Sequence, residues 1–181
     1  MTAVVGLVHG GRVHLGADSA GVAGWAMTVR ADEKVFTNGD YVMGFTTSFR
    51  MGQLLRHAFE PPAPGCDLPK FMATTFIDAV RECLKAGGYA TKASEQEFGG
   101  NFLVGVNGRL FEIGTDYQVG EPVDGFAAVG CGFEIALGAL YAGGVAGVPV
   151  KKRIRVALEA AERFSAGVRG PYAYVATRKE P

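Results

Sequence analysis

The sequence predicts an α+β protein in which two antiparallel sheets stack between two layers of helix, a four-layer α-β-β-α sandwich. Three observations lead there. Turn signals at Gly10-Gly11, Asn38-Gly39 and Asn107-Gly108 each separate two apolar, β-branched runs, the pattern of a β-hairpin. Apolar residues recur at helical spacing in two pairs of segments, one pair before the third hairpin and one pair after it. The resulting order is strands, two helices, strands, two helices, strand, which places helices outside each sheet. The 181 residues fit one domain over 1–181, long enough to bury a sizeable core.

Taken in order, Ala3 to Val8 reads as a buried strand, and Arg12 to Ala17 returns alongside it after His9-Gly10-Gly11. Folding about Gly10 sets Asp18 across from Thr2. Ser19 to Gly24 reads as a small-residue loop, and Trp25 to Val29 as a short strand or extended segment. Lys34 to Thr37 and Tyr41 to Thr46 form a second hairpin, which about Asn38-Gly39 sets Lys34 opposite Met43 and beside Gly44. Ser48 is suited to cap a helix whose apolar face is Met51, Leu54, Leu55 and Ala58. Pro61 to Gly65 breaks it, Pro69 starts a longer helix, and Gly87-Gly88 ends that one. Tyr89 to Gly100 is polar and reads as the most mobile segment. Phe102 to Val106 and Arg109 to Ile113 make the third hairpin. Phe126 to Val129 is a strand entering Gly130-Cys131-Gly132 and a helix to Ala142. A last helix over Val150 to Ala166 turns Ile154, Ala157, Leu158 and Ala161 inward, and Tyr172 to Thr177 closes as a strand.

Two hairpins thus gather a near-terminal Thr, an Asp, a Lys and a strand-end Gly. A threonine hydroxyl needs a base to take its proton, and a threonine at a chain terminus carries one in its own α-amine. That amine has a pKa of about 7.7–8.0, close to the optimum for a general base at neutral pH. The Lys34 ammonium would lower it by like-charge repulsion, and Asp18 would hold Lys34 in place. The backbone N–H near Gly44 would donate to a developing oxyanion. In this scheme the role of Lys34 is electrostatic, and Lys34→Ala is expected to abolish turnover while leaving the fold nearly intact.

With Thr2, the Gly16-Ala17-Asp18-Ser19 stretch, Lys34-Val35-Phe36 and Val42 to Phe45, the chain resembles the catalytic β-type subunits of the proteasome family, most of all the HslV-type peptidase subunit. Gly130-Cys131-Gly132 before a helix is similar to that family's late motif. The resemblance implies an N-terminal-nucleophile hydrolase fold with Thr2, Asp18 and Lys34 catalytic, Gly44 at the oxyanion, and Ser19, Cys131 and Ser165 in support. It implies a threonine peptidase in a ring-shaped homo-oligomer acting on unfolded polypeptide, in which any ATP use would belong to a separate ATPase unfoldase. Two departures stand out. Cys131 sits where the family has Ser, and Ser165 and Val168 sit where it often has Asp and Ser. They favour a second reading, a ring or scaffold subunit without activity. A third is a small-amide amidohydrolase of the same fold. In the peptidase reading Met1 must be removed, because an amide nitrogen cannot act as the base. Thr2 is small enough for ordinary methionine removal.

Composition narrows the partners. Lys plus Arg equals Asp plus Glu at 18 each, so no overall field draws nucleic acid or an anionic membrane. Cys66, Cys83 and Cys131 form no CxxC pair, which predicts reduced thiols in a cytoplasmic protein and no zinc site. No run approaches the roughly 20 apolar residues of a membrane span, and no signal peptide is evident. His9, His14 and His57 lie on separate elements without metal-ligand spacing. Gly130-Cys131-Gly132 lacks the third glycine of a dinucleotide fingerprint, and no phosphate-binding loop is present, so no cofactor is expected. Lys151-Lys152-Arg153 with Arg155 reads as a solvated helix face.

Overall fold

The computed structural model describes residues 2–93 and 96–178. Met1, whose removal the sequence reading requires, lies outside them. Strands β1 (Ala3–His9) and β2 (Arg12–Ala17) pair from His9↔Arg12 to Val4↔Ala17. The two-residue loop is therefore Gly10-Gly11, with φ of 56° and 70°, the left-handed pair a type I′ turn requires. This register sets Asp18 opposite Ala3, one residue from the expected Thr2, and the Asp18 N–H donates to the Ala3 carbonyl at 3.2 Å.

Ser19 to Gly24, expected as a loop, instead contributes β3 (Ala20–Ala23), which pairs with β4 (Ala26–Val29). The small residues that suggested a loop serve the close packing at its start, where Ala20 is fully buried. In the next hairpin, β5 (Val35–Asn38) and β6 (Tyr41–Phe45) pair from Asn38↔Tyr41 to Val35↔Gly44. The loop is Gly39-Asp40, one residue later than read from the sequence, and only the first loop residue takes a positive φ (58°), as in type II′. Asn38 is kept in the strand by its side-chain amide, which donates to the carbonyls of Leu55 at 3.0 Å and Phe59 at 2.8 Å. Lys34 consequently lies opposite Phe45, whose N–H donates to the Lys34 carbonyl at 3.0 Å, and not opposite Met43.

Helix α1 (Phe49–His57) starts as predicted, with the Ser48 hydroxyl accepting from the Arg50 N–H at 3.1 Å. The second helix forms in three pieces: α2 (Leu68–Phe71), a π-helical turn over Met72–Phe76, and α3 (Ile77–Ala86). The polar stretch before Gly100 holds β7 (Thr91–Ala93) and β8 (Gln96–Phe98), paired from Thr91↔Phe98 to Ala93↔Gln96. Strands β9 (Phe102–Val106) and β10 (Arg109–Ile113) turn through Asn107-Gly108 as expected. Then come β11 (Val119–Gly120), β12 (Phe126–Gly130), α4 (Phe133–Val145), α5 (Val150–Phe164) and β13 (Ala173–Ala176).

One sheet has the order β12-β1-β2-β13 and the other β11-β10-β9-β6-β5, with every pairing antiparallel. Alternation along β1 builds two cores at once. Ala3, Val5 and Leu7 pack against α4 and α5, while Val4 meets Leu15, Val42 and Leu103 between the sheets. A third core joins the outer face of the five-stranded sheet to α1 and α3 through Met51, Leu55, Val80 and Leu84. The layers are therefore helix, sheet, sheet, helix. No helix among the described residues is long and apolar enough to cross a membrane.

Glycines set the spacing between the sheets. A Cβ at Gly105 would lie 2.4 Å from Val13 Cγ1 and 2.6 Å from Val13 Cβ, far inside van der Waals contact. Gly105→Ala is expected to cost about 1–3 kcal/mol, the usual cost of overpacking a filled core. A urea titration checks this; an unchanged midpoint would show that the layers can part without penalty.

Candidate active site

The site grows from the start of β1, which lies inside its sheet between β12 and β2. Thr2, just before β1, is 4% exposed and lines two cavities, one of about 360 Å³ and one of about 50 Å³. Behind it lies a buried ion pair. Lys34 Nζ donates to Asp18 Oδ1 at 2.7 Å, and neither side chain is more than 1% exposed.

The Asp18 carboxylate is fully subscribed. Oδ1 also accepts the Ala3 N–H at 3.0 Å, so the Lys34 ammonium and the amide of the Thr2–Ala3 bond converge on one oxygen. Oδ2 accepts the N–H groups of Ala20 at 2.9 Å and Arg169 at 3.1 Å. Burial pulls the Lys34 ammonium below the ordinary lysine value, and the Asp18 carboxylate pushes in the opposite direction. A lysine poised this way is a compact positive charge beside Thr2. The smaller cavity is walled by Val22, Phe45 and Phe49, and the Arg30 guanidinium stacks over the Phe49 ring at 3.8 Å.

Thr2, Asp18 and Lys34 are thus brought together. Gly44 lines neither cavity. It sits mid-strand in β6 between Val35 and Leu103, and the space above its Cα is filled by Val4 and Val35. Its glycine identity answers to sheet-to-sheet packing, because a Cβ there would lie 2.6 Å from Val4 Cγ1.

Ser19 is buried, but its hydroxyl donates to the Pro171 carbonyl at 2.6 Å and its N–H to the Arg169 carbonyl at 2.8 Å. It fixes the chain after α5, whose Arg169 amide reaches Asp18. Cys131 lines the larger cavity, and its Sγ lies 3.3 Å from the Ser165 hydroxyl. Val168 is buried in the core beneath α5. Gly130 has φ of 101°, and a Cβ on it would lie 2.1 Å from the Thr2 carbonyl oxygen, so only glycine lets β12 close over Thr2.

Among the polar wall residues, sequence reading missed Thr46, Thr47, Asn101 and Glu112. Thr47 lines both cavities and holds φ of 62°, a conformation that a β-branched residue rarely adopts. Its hydroxyl accepts the Asn101 N–H at 3.2 Å, while its own N–H meets no protein acceptor among the described residues. The signal for it was the position between a strand end and the Ser48 cap. For Glu112 the signal was parity, since it shares a strand face with Leu110, which is sealed between the sheets.

No protein-family model matches the sequence, and no curated protein sequence does. Solved structures match over nearly the whole chain. BPH from Thiobacillus denitrificans in complex with epoxomicin superposes with a TM-score of 0.83 at 23% identity, covering 99% of this chain and 100% of that one. Eukaryotic HslV from Trypanosoma brucei gives 0.71 at 21%, covering 97% and 98%. The Gly-1 mutant of Anbu from Hyphomicrobium sp. strain MC1 gives 0.67 at 17%, covering 97% and 81%. These likenesses establish the shared fold.

The burial of the ion pair revises what losing Lys34 should do. Removing one partner of a buried pair costs about 3–5 kcal/mol, because the other charge is stranded. Asp18 would keep three backbone donors, so Lys34→Ala is expected near the lower end of that range and not to leave the fold intact. Denaturant titration measures it, and a variant as stable as the parent would show that the three amides alone satisfy Asp18.

Proposed function

We propose that this chain is a threonine peptidase subunit whose nucleophile is the Thr2 hydroxyl, exposed by removal of the residue before it. The observation that carries this reading is the convergence of Lys34 Nζ and the Ala3 amide on one buried Asp18 oxygen directly behind Thr2. A surface lysine gains nothing from such a position, whereas a nucleophile with its own amine as base needs a fixed positive charge there.

In the proposed reaction the neutral α-amine of Thr2 takes the proton from its own Oγ as Oγ attacks the substrate carbonyl carbon. The tetrahedral oxyanion is stabilised by the Lys34 charge and by the Thr47 N–H, in place of Gly44. On collapse, the ammonium returns the proton to the departing amine and leaves an acyl ester on Thr2. Water, activated by the same amine, then hydrolyses the ester. Ser19 holds the Arg169 loop, and the Cys131–Ser165 contact holds the rim.

A homo-oligomeric ring acting on unfolded polypeptide, with a separate ATPase to feed it, belongs to the same proposal. Supporting it are Trp25, Met27 and Val29 exposed on the β3–β4 hairpin, and Phe133, Tyr141 and Val145 exposed on α4. Large apolar side chains left exposed on one hairpin and along one helix are what an association face would offer. One observation favours a non-catalytic ring subunit instead: Val168 lies beneath Gly132 as core filler, where a polar supporting group would be of use.

Protein beginning at Thr2, verified by intact mass, is expected to cleave fluorogenic peptides and to be blocked by epoxomicin, while Thr2→Ala does neither. Its kcat/KM should fall as the pH drops below about 7.5, where the amine protonates. Equal rates with and without Met1 would exclude the terminal amine as base. Sedimentation is expected to show a species well above a dimer, and a monomer at micromolar concentration would remove the ring.

A further inference from the structure

The larger cavity beside Thr2 has an electrical imbalance that the ion pair does not explain. Glu112 lines it, on the face of β10 that looks between the two sheets. Two positions before it, Leu110 occupies that face and is sealed in the core; at Glu112 the sheets part and the carboxylate meets the cavity. Among the described residues no hydrogen bond or ion pair reaches this carboxylate. The nearest arginine on its strand, Arg109, is held in a bidentate pair by Glu121. Glu112 is an exposed residue in this chain, and the partial desolvation of its carboxyl raises it above the usual range with no cation drawing it back.

A second group tells the same story. Asn101 lines the same cavity, and its side-chain oxygen is buried without a hydrogen-bond partner among the described residues. Buried acceptors are nearly always satisfied, so one left over beside a cavity points to a donor that arrives from outside. The other polar walls are already engaged: the Thr46 hydroxyl donates to the Asn101 carbonyl at 3.0 Å, the Thr47 hydroxyl accepts from the Asn101 amide, and Cys131 meets Ser165. Among the described residues no lysine, arginine or histidine lines the cavity. Beyond Glu112 a further groove opens, walled by Gln118 and by Glu121, so the carboxylate stands where the two spaces meet.

From this surplus of acceptors we infer that the cavity is a specificity pocket for a basic side chain, and that Glu112 selects lysine or arginine at a substrate position adjoining the bond that Thr2 attacks. The inference rests on the peptidase reading for the word substrate, though not for the binding itself. A pocket of about 360 Å³ has room for either side chain. The aliphatic stem would lie along Ala128, Val129 and Phe133, with the cationic head at Glu112 and an N–H toward Asn101.

The test uses N-acetylated octapeptides built on alanine, with Arg, Ala or Glu stepped through each position. Cleavage by protein beginning at Thr2 is mapped by mass spectrometry, and binding to Thr2→Ala protein is measured by fluorescence anisotropy. Arg at one fixed position is expected to raise kcat/KM relative to Ala by about tenfold or more, and to tighten binding to a similar degree. Glu112→Gln should bring the Arg-to-Ala ratio close to one, and Glu112→Lys should shift the preference to Glu. Cleavage with no Arg preference, or a preference that survives Glu112→Gln, overturns the inference and leaves the peptidase standing. Arg-selective binding that depends on Glu112, with no cleavage, upholds the pocket and overturns the peptidase. Equal binding of Arg and Ala peptides with no cleavage overturns both.

Discussion

Everything near Thr2 depends on one buried carboxylate. Asp18 joins four donors from four separated parts of the chain: the first residue of β1, the first residue of β3, the residue before β5 and the segment after α5. A bare carboxylate in this position would be prohibitively costly, and an ammonium alone would not satisfy both oxygens. With the four donors together the charge becomes a joint, and the start of β1 is held from the side opposite the cavity. The same arrangement serves folding and the proposed chemistry without compromise, since both require Lys34 charged and immobile.

Much of this was legible in the chain, because hairpin chemistry is local. Gly10-Gly11 and Asn107-Gly108 supply left-handed residues in pairs, and each forms the turn its sequence suggests. Asn38-Gly39 carries an equally strong signal and turns one residue later, because the Asn38 amide is spent on two carbonyls at the end of α1. A tertiary contact outweighed a local preference there. In the shifted register Gly44 pairs with Val35, still one place along from the residue facing Lys34, and its missing side chain makes room for Val4.

The remaining misses share a cause. Thr47, Asn101 and Glu112 lie in or beside three neighbouring strands of the five-stranded sheet, and no spacing in the chain announces the β6–β9 pairing that joins Thr47 to the other two. β3 escaped notice because alanine and glycine carry little strand signal, and its pairing with β4 becomes favourable once Asp18 has tied down the Ala20 amide. Where burial falls on both faces of a strand, as along β1, the apolar run was plain to read. Where a polar residue faces a cavity, only the alternation along the strand hinted at it.

Thr2 leads into an interior strand, flanked on both sides by paired neighbours, and this bears on how the molecule moves. Opening free energies in a protein run from near zero at frayed ends to the global value in central strands. Thr2 stands immediately before β1, which lies between β12 and β2, so it adjoins the rigid end of that range. The backbone beside the hydroxyl therefore has little ordering entropy left to lose when a ligand arrives. Whatever adjusts during a binding event must be the visitor or the cavity rim, and slow amide exchange at Val4 and Val5 would accompany fast exchange of ligand.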